Sequence, residues 1–90
     1  MTDSRYSITY KPSAAKALRK LDRQHQRSII AAIDALAHDP RPDGVKKLQG
    51  GMGEYRLRVG SYRVIYDIND GELIILVLHL GHRREIYRKL

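Results

Sequence analysis

Ninety residues carrying 17 Lys and Arg against 10 Asp and Glu have a formal net charge of +7, which suits one small domain, spanning 1–90, facing a polyanion, an acidic protein or an anionic surface. The absence of cysteine excludes disulfides and thiolate metal sites and is compatible with a reducing compartment. No apolar run reaches spanning length and the N-terminus lacks the apolar core of a signal peptide, so the expected setting is the cytoplasm, with no membrane partner.

From Arg5 to Lys11, Tyr6, Ile8 and Tyr10 alternate with Ser7 and Thr9, the pattern of a half-buried strand. Pro12 then opens a helix, because its missing N–H would be unpaired in the first turn. Ala14, Ala17, Leu18 and Leu21 recur at helical spacing, with Lys16, Arg19, Lys20 and Arg23 outward. Asp22 caps a second helix predicted from about Arg23 to Ala37, whose stripe is Ile29, Ile30, Ile33, Leu36 and Ala37. The prolines at 40 and 42 end it. His38 to Gly44 reads as a surface connection, and Val45 to Gly53 as a loose glycine-rich loop with Leu48 as its anchor.

The run from Glu54 to Ile68 alternates on either side of Gly60-Ser61, as an antiparallel hairpin does. A two-residue loop pairs Val59 with Tyr62, Arg58 with Arg63, Leu57 with Val64, Arg56 with Ile65 and Tyr55 with Tyr66. One face then carries Tyr55, Leu57, Val59, Tyr62, Val64 and Tyr66. The other carries Arg56, Arg58 and Arg63 with Ile65. Like charges opposite one another on a sheet cost up to about 1 kcal/mol. A phosphate-bearing ligand reverses that sign, since the guanidinium fork matches phosphate oxygens. The competing reading is a solvated arginine face with carboxylate neighbours such as Glu54 or Asp67.

Asn69-Asp70-Gly71 signals a turn. Leu73 to Leu80 is apolar on both faces except at His79, which reads as a central strand with a core histidine. The order strand, helix, helix, then three strands (β-α-α-β-β-β) predicts an α+β domain, a small antiparallel sheet with the two N-terminal helices packed on one face. The tyrosine and leucine face is the expected floor for the helices, and the arginine face is expected to be open.

The run K-L-Q-G-G-M-G-E-Y-R-L-R-V-G-S-Y-R-V-I-Y-D-I, followed after an apolar strand by L-G-H-R-R-E-I-Y, resembles the RelE toxins of the RelE/ParE superfamily. The resemblance covers nearly the whole chain in the family's order of elements. It implies a RelE-like fold and a ribosome-dependent endoribonuclease (mRNA interferase). Such an enzyme enters the A site of the 30S subunit, contacts rRNA, cuts the mRNA there and so inhibits translation. It also implies a RelB-like antitoxin as partner; no cofactor is expected, and no metal, since no third ligand is evident in cationic surroundings. The catalytic residues it implies are Arg56, Arg58, Arg63, Arg83 and Tyr87. Arg56 and Arg58 stand where the best-known members have lysines lining the scissile phosphate, and Arg63 matches a transition-state arginine. Arg83 matches a leaving-group contact, and Tyr87 a stack on the substrate base.

The chain departs from those members chemically, because arginine essentially cannot lose its proton and so cannot serve as general base. The proton handlers near the site are His79, His82, Glu54 and Tyr87, with His82 expected to be the better placed histidine beside Arg83. His79-Leu80-Gly81-His82 has a metal-like spacing without a third ligand. Two competing functions remain: a ParE-like inhibitor of DNA gyrase, and a non-catalytic module binding nucleic acid or antitoxin.

Overall fold

The computed structural model describes residues 5–48 and 53–82. Seven elements follow in order: β1 Ser7–Tyr10, α1 Pro12–Arg19, α2 Arg23–Ala35, β2 Lys46–Lys47, β3 Tyr55–Val59, β4 Tyr62–Asn69 and β5 Ile74–His82. No helix among the described residues is long and apolar enough to cross a membrane.

The helix signals act as their chemistry requires. Lys11 O accepts from Ala14 N and Ala15 N ahead of the missing Pro12 donor. Asp22 caps α2, its Oδ1 accepting from His25 N at 3.0 Å, and that bond holds the carboxyl below its ordinary range. The helix stops at Ala35, two residues before the expected end. Leu36, Ala37 and His38 donate to carbonyls three residues back, tightening the chain before Pro40. Ile29, Ile33, Leu36 and Ala37 are buried as expected, but Ile30 is exposed, a quarter-turn off the stripe.

The α+β arrangement of two helices on a sheet is as expected, with one difference in strand direction. The five strands run β1-β5-β4-β3-β2, and β1 lies parallel to β5 with Tyr10 beside Val77. A parallel neighbour needs a long crossover. Here both helices and three strands supply it, so the sheet is mixed. The segment expected to be a loose loop also contributes an edge: Lys46 pairs with Arg56 and Lys47 with Tyr55. Leu48 N donates to Glu54 O at 2.8 Å and carries that pairing on.

All five cross-strand pairs expected for the hairpin are present. Gly60 has φ +59°, whereas Ser61 does not enter the positive region. That combination fits a type II′ turn, whose twist matches the flanking strands. Val64 and Tyr66 enter the helix-facing core with Ala14, Ile29, Ile33, Leu36, Ile75, Val77 and Leu80, and Tyr55, Leu57, Val59 and Tyr62 pack around it. This is the floor that the alternation predicts.

The turn after β4 is longer than a tight hairpin. Asn69 Oδ1 accepts from Glu72 N and its Nδ2 donates to Glu72 Oε1, both at 2.9 Å, folding Asp70–Leu73 into a four-residue loop that ends on Leu73 at φ +56°. Asp70 is freed for another task. Arg41 Nη1 and Nη2 donate to its two oxygens at 3.3 and 3.0 Å, and Tyr6 OH donates to Oδ1 at 2.6 Å. Arg41 Nε donates to Tyr55 OH at 3.1 Å, with the guanidinium 5.3 Å from that ring. Tyr66 OH donates to Pro40 O at 2.7 Å. The connection after α2 is therefore clasped across one end of the sheet.

Candidate functional site

The far side of the sheet from the helices is organised by register. Side chains directly opposite on neighbouring strands share a face. One row therefore runs Lys46, Arg56, Ile65, His79, and the next runs Arg58, Arg63, Gly81. Arg56, Arg58 and Arg63 are brought together as the sequence predicts. Lys46 joins them as a fourth cation that the reading missed, because a Lys-Lys pair inside a glycine-rich run carries no alternation. By the same alternation Glu54 and Asp67 fall on this face, toward the end away from the Gly60 turn.

The expectation of an open arginine face is corrected at its centre. Ile65 is fully buried without belonging to the helix-facing core, and Arg63 is only 8% exposed. Arg56 is half-buried and Arg58 is exposed. The difference follows from position: Arg63 has a strand on each side, opposite Arg58 and Gly81, whereas Arg58 lies beyond the two-residue β2 and has a neighbour on one side only. Burial leaves Arg63 in an unusual state. Among the described residues no acceptor reaches its Nε or Nη1, and no carboxylate pairs with either Arg58 or Arg63. A buried donor without a partner costs about 1–3 kcal/mol, and more when it is charged. Those two N–H groups are closed to solvent, so it is exposed Arg58 that can meet a tetrahedral oxyanion directly, with the Arg63 charge behind it.

The histidines are placed the other way round from the expectation. His82 pairs with Tyr62, and their rings meet edge to face at 5.9 Å. Tyr62 in turn lies 5.0 Å from His25 of α2, so His82 belongs to the helix side of the sheet. His79, read as a core residue, lies opposite Ile65 on the arginine face and is half-buried. The cause is a bulge at Leu78, where the β4–β5 register shifts between Ile65 and Tyr66. A cavity of about 390 Å³ sits on the helix side, lined by His25, Ser28, Ile29, Val59, Gly60, Ser61 and Tyr62. Arg83 and Tyr87 lie outside the described residues.

A small basic α+β domain with a cationic sheet face opposite its helices is the class that fold and site define. Residues 8–87 match the family model described as ParE toxin of type II toxin–antitoxin system, parDE. The chain therefore belongs to this family of type II toxins, within the RelE/ParE superfamily. It is 27% identical to Toxin RelG of Mycobacterium tuberculosis over 85 residues, covering 93% of this chain and 98% of that one. Among solved structures, the archaeal RelE–RelB complex from Pyrococcus horikoshii matches with a TM-score of 0.78 at 34% identity, over 88% of this chain and 96% of that one. The isolated Escherichia coli RelE toxin shares the fold, with a TM-score of 0.76 at 24% identity over 93% of each chain.

Proposed function

We propose that this toxin is a ribosome-dependent endoribonuclease that cuts mRNA in the A site and is silenced by a RelB-like antitoxin. The observation that carries the reading is Arg63, held in the sheet with two donors unsatisfied beside Arg58. In the proposed reaction a ribose 2′-oxygen attacks the adjacent phosphorus and the bond to the 5′-oxygen breaks, leaving a 2′,3′-cyclic phosphate and a 5′-hydroxyl. Extra negative charge develops on the equatorial phosphate oxygens. Arg58 meets that charge directly and the buried Arg63 charge beside it adds to the field, a form of stabilisation that ranks among the largest catalytic effects. Arg56 and Lys46 extend the cationic track along the RNA backbone. Arg83 and Tyr87 take the leaving-group and base-stacking roles that the resemblance implies, and the ribosome aligns the strand for in-line attack.

The pairing of RelE with RelB in the Pyrococcus horikoshii structure supports a RelB-like partner. We expect that partner to be acidic where it meets the sheet, since carboxylates would quench the same arginines. A second reading has its own support, because the matching family model is a ParE toxin: the chain would then poison DNA gyrase without cleaving RNA.

One experiment separates the two readings. Purified toxin is added to a cell-free translation reaction, mRNA ends are mapped by primer extension, and gyrase supercoiling is assayed in parallel. Codon-phased cuts that require ribosomes, with supercoiling intact, are the expected result. Intact mRNA with supercoiling inhibited overturns the nuclease reading.

A further inference from the structure

The arginine face stabilises charge but supplies no arginine able to accept the 2′-hydroxyl proton, and the β4–β5 ladder offers a group that can. Between Tyr66 and Asn69 the register pairs Tyr66 with Val77 and Asn69 with Ile74. Continued unbroken, it would set His79 opposite Val64, inside the helix-facing core. The extra residue at Leu78 moves His79 opposite Ile65 instead, and leaves Leu80 opposite Val64 in the core. Bulges commonly re-aim a side chain beside an active site. This one places an imidazole in a row of cations.

We infer that His79 is the general base of the RNA cleavage proposed above, on which the inference rests. Its position is one strand spacing, about 4.8 Å, from fully buried Ile65, with Arg63 on the diagonal and Arg56 one strand further. Among the described residues, the ionisable groups that the register and alternation put on this face are Lys46 of β2, Arg56 and Arg58 of β3 with Glu54 before them, and Arg63 and Asp67 of β4. From β1 the face receives Ser7 and Thr9, and the same alternation carries Arg5 before them and Lys11 after them, the latter extended with its N–H on Val77 O. A neutral imidazole is the form a base requires. In the step, the 2′-O–H proton passes to an imidazole nitrogen as the 2′-oxygen bonds to phosphorus. The P–O5′ bond breaks, the 5′-oxygen takes a proton from water, and His79 then returns its proton to solvent. His82, turned toward Tyr62 on the other face, takes no part.

The test is the single-turnover cleavage rate on mRNA-programmed ribosomes, followed across pH for wild type, His79→Asn and His82→Asn. Wild type is expected to lose rate on acidification through the range where imidazoles titrate, about pH 6–7. His79→Asn should be slower by about 10²- to 10⁴-fold and lose that acid limb. It should keep its affinity for ribosomes, and His79→Gly should regain rate with added imidazole. His82→Asn should keep both the limb and the rate, within about threefold, because it adds no group to this face. A His79→Asn enzyme with the wild-type rate and profile overturns the base assignment and leaves the nuclease reading intact. A wild type that makes no cuts removes the reading, and the base with it. If the His79 variants fail to fold, a wild-type rate that is flat across the same range overturns the assignment.

Discussion

Arg58 and Arg63 stand directly opposite each other across the β3–β4 ladder, one exposed to solvent and the other 92% removed from it. Two guanidinium groups in that relation oppose folding, the buried one most, because its lost hydration is not replaced by acceptors among the described residues. On the function proposed above, RNA phosphate oxygens offset that cost. The two residues therefore differ in setting: Arg58 is exposed to water, and Arg63 is already removed from it.

Arg63→Met should accordingly separate stability from activity. Methionine fills a similar volume with no donor to satisfy, so the urea midpoint is expected to stay level or rise by an amount equivalent to about 1 kcal/mol. Ribosome-dependent cleavage should fall by about 10²-fold or more. Clear destabilisation together with retained cleavage would show that the guanidinium serves the fold.

Arg58→Ala should act on binding through salt. Removing one exposed phosphate contact is expected to lower the slope of log affinity against log salt by about 0.7 for single-stranded RNA. Stability should be unchanged or slightly improved by relief of the cross-strand repulsion. A fluorescence titration of an RNA oligonucleotide over a salt series reads the slope, and an unchanged slope would remove Arg58 from the RNA track.

The hairpin was legible because two signals agreed: strict alternation from Tyr55 to Tyr66, and a turn that needs a glycine at positive φ. What was not legible depended on contacts distant in sequence. His79 sits in an apolar run, and nothing local announces the extra residue at Leu78 that turns it to the arginine face. Lys46 becomes part of the site only because a two-residue strand docks on β3. Arg41 and Asp70 read as ordinary loop residues, since partners 29 positions apart leave no periodic trace. The direction of β1 is equally non-local, for alternation specifies a face and not a neighbour's polarity.

Tyr66→Phe tests the clasp from the core side. The ring is fully buried and its hydroxyl donates to Pro40 O, while burial, with a smaller push from Tyr55, raises the phenol above its ordinary range. Losing the hydroxyl leaves a carbonyl short of a partner, and a cost of about 1–3 kcal/mol is expected by chemical denaturation. Cleavage per folded molecule should be unchanged, since the hydroxyl lies on the helix side of the sheet.

Asp70→Asn makes a pH prediction. The bonds from Arg41, and after them the bond from Tyr6, hold the Asp70 carboxyl below its ordinary range. A group with a depressed folded-state pKa contributes stability above its unfolded value, near pH 4, and loses it as pH falls through the folded value. Wild type should therefore lose stability progressively below about pH 4. The variant should be less stable at neutral pH and fall less steeply over that acid window, though not level off, because Asp22 is also held low. Parallel curves for the two proteins would show that the clasp does not contribute to stability.

Gly60 links the turn to the site. Its φ of +59° lies in the left-handed region, and no atom lies within 4 Å of where a Cβ would stand, so substitution is opposed by the backbone alone. Gly60→Ala should cost about 1 kcal/mol, and Gly60→Asn less, because asparagine tolerates this region better. The two-residue loop is retained in both, so Arg58 still faces Arg63, and cleavage by the folded fraction should match wild type. The denaturation midpoint and the single-turnover rate, measured on the same samples, test this together. An alanine variant of unchanged stability that no longer cleaves would place the turn itself against RNA or ribosome.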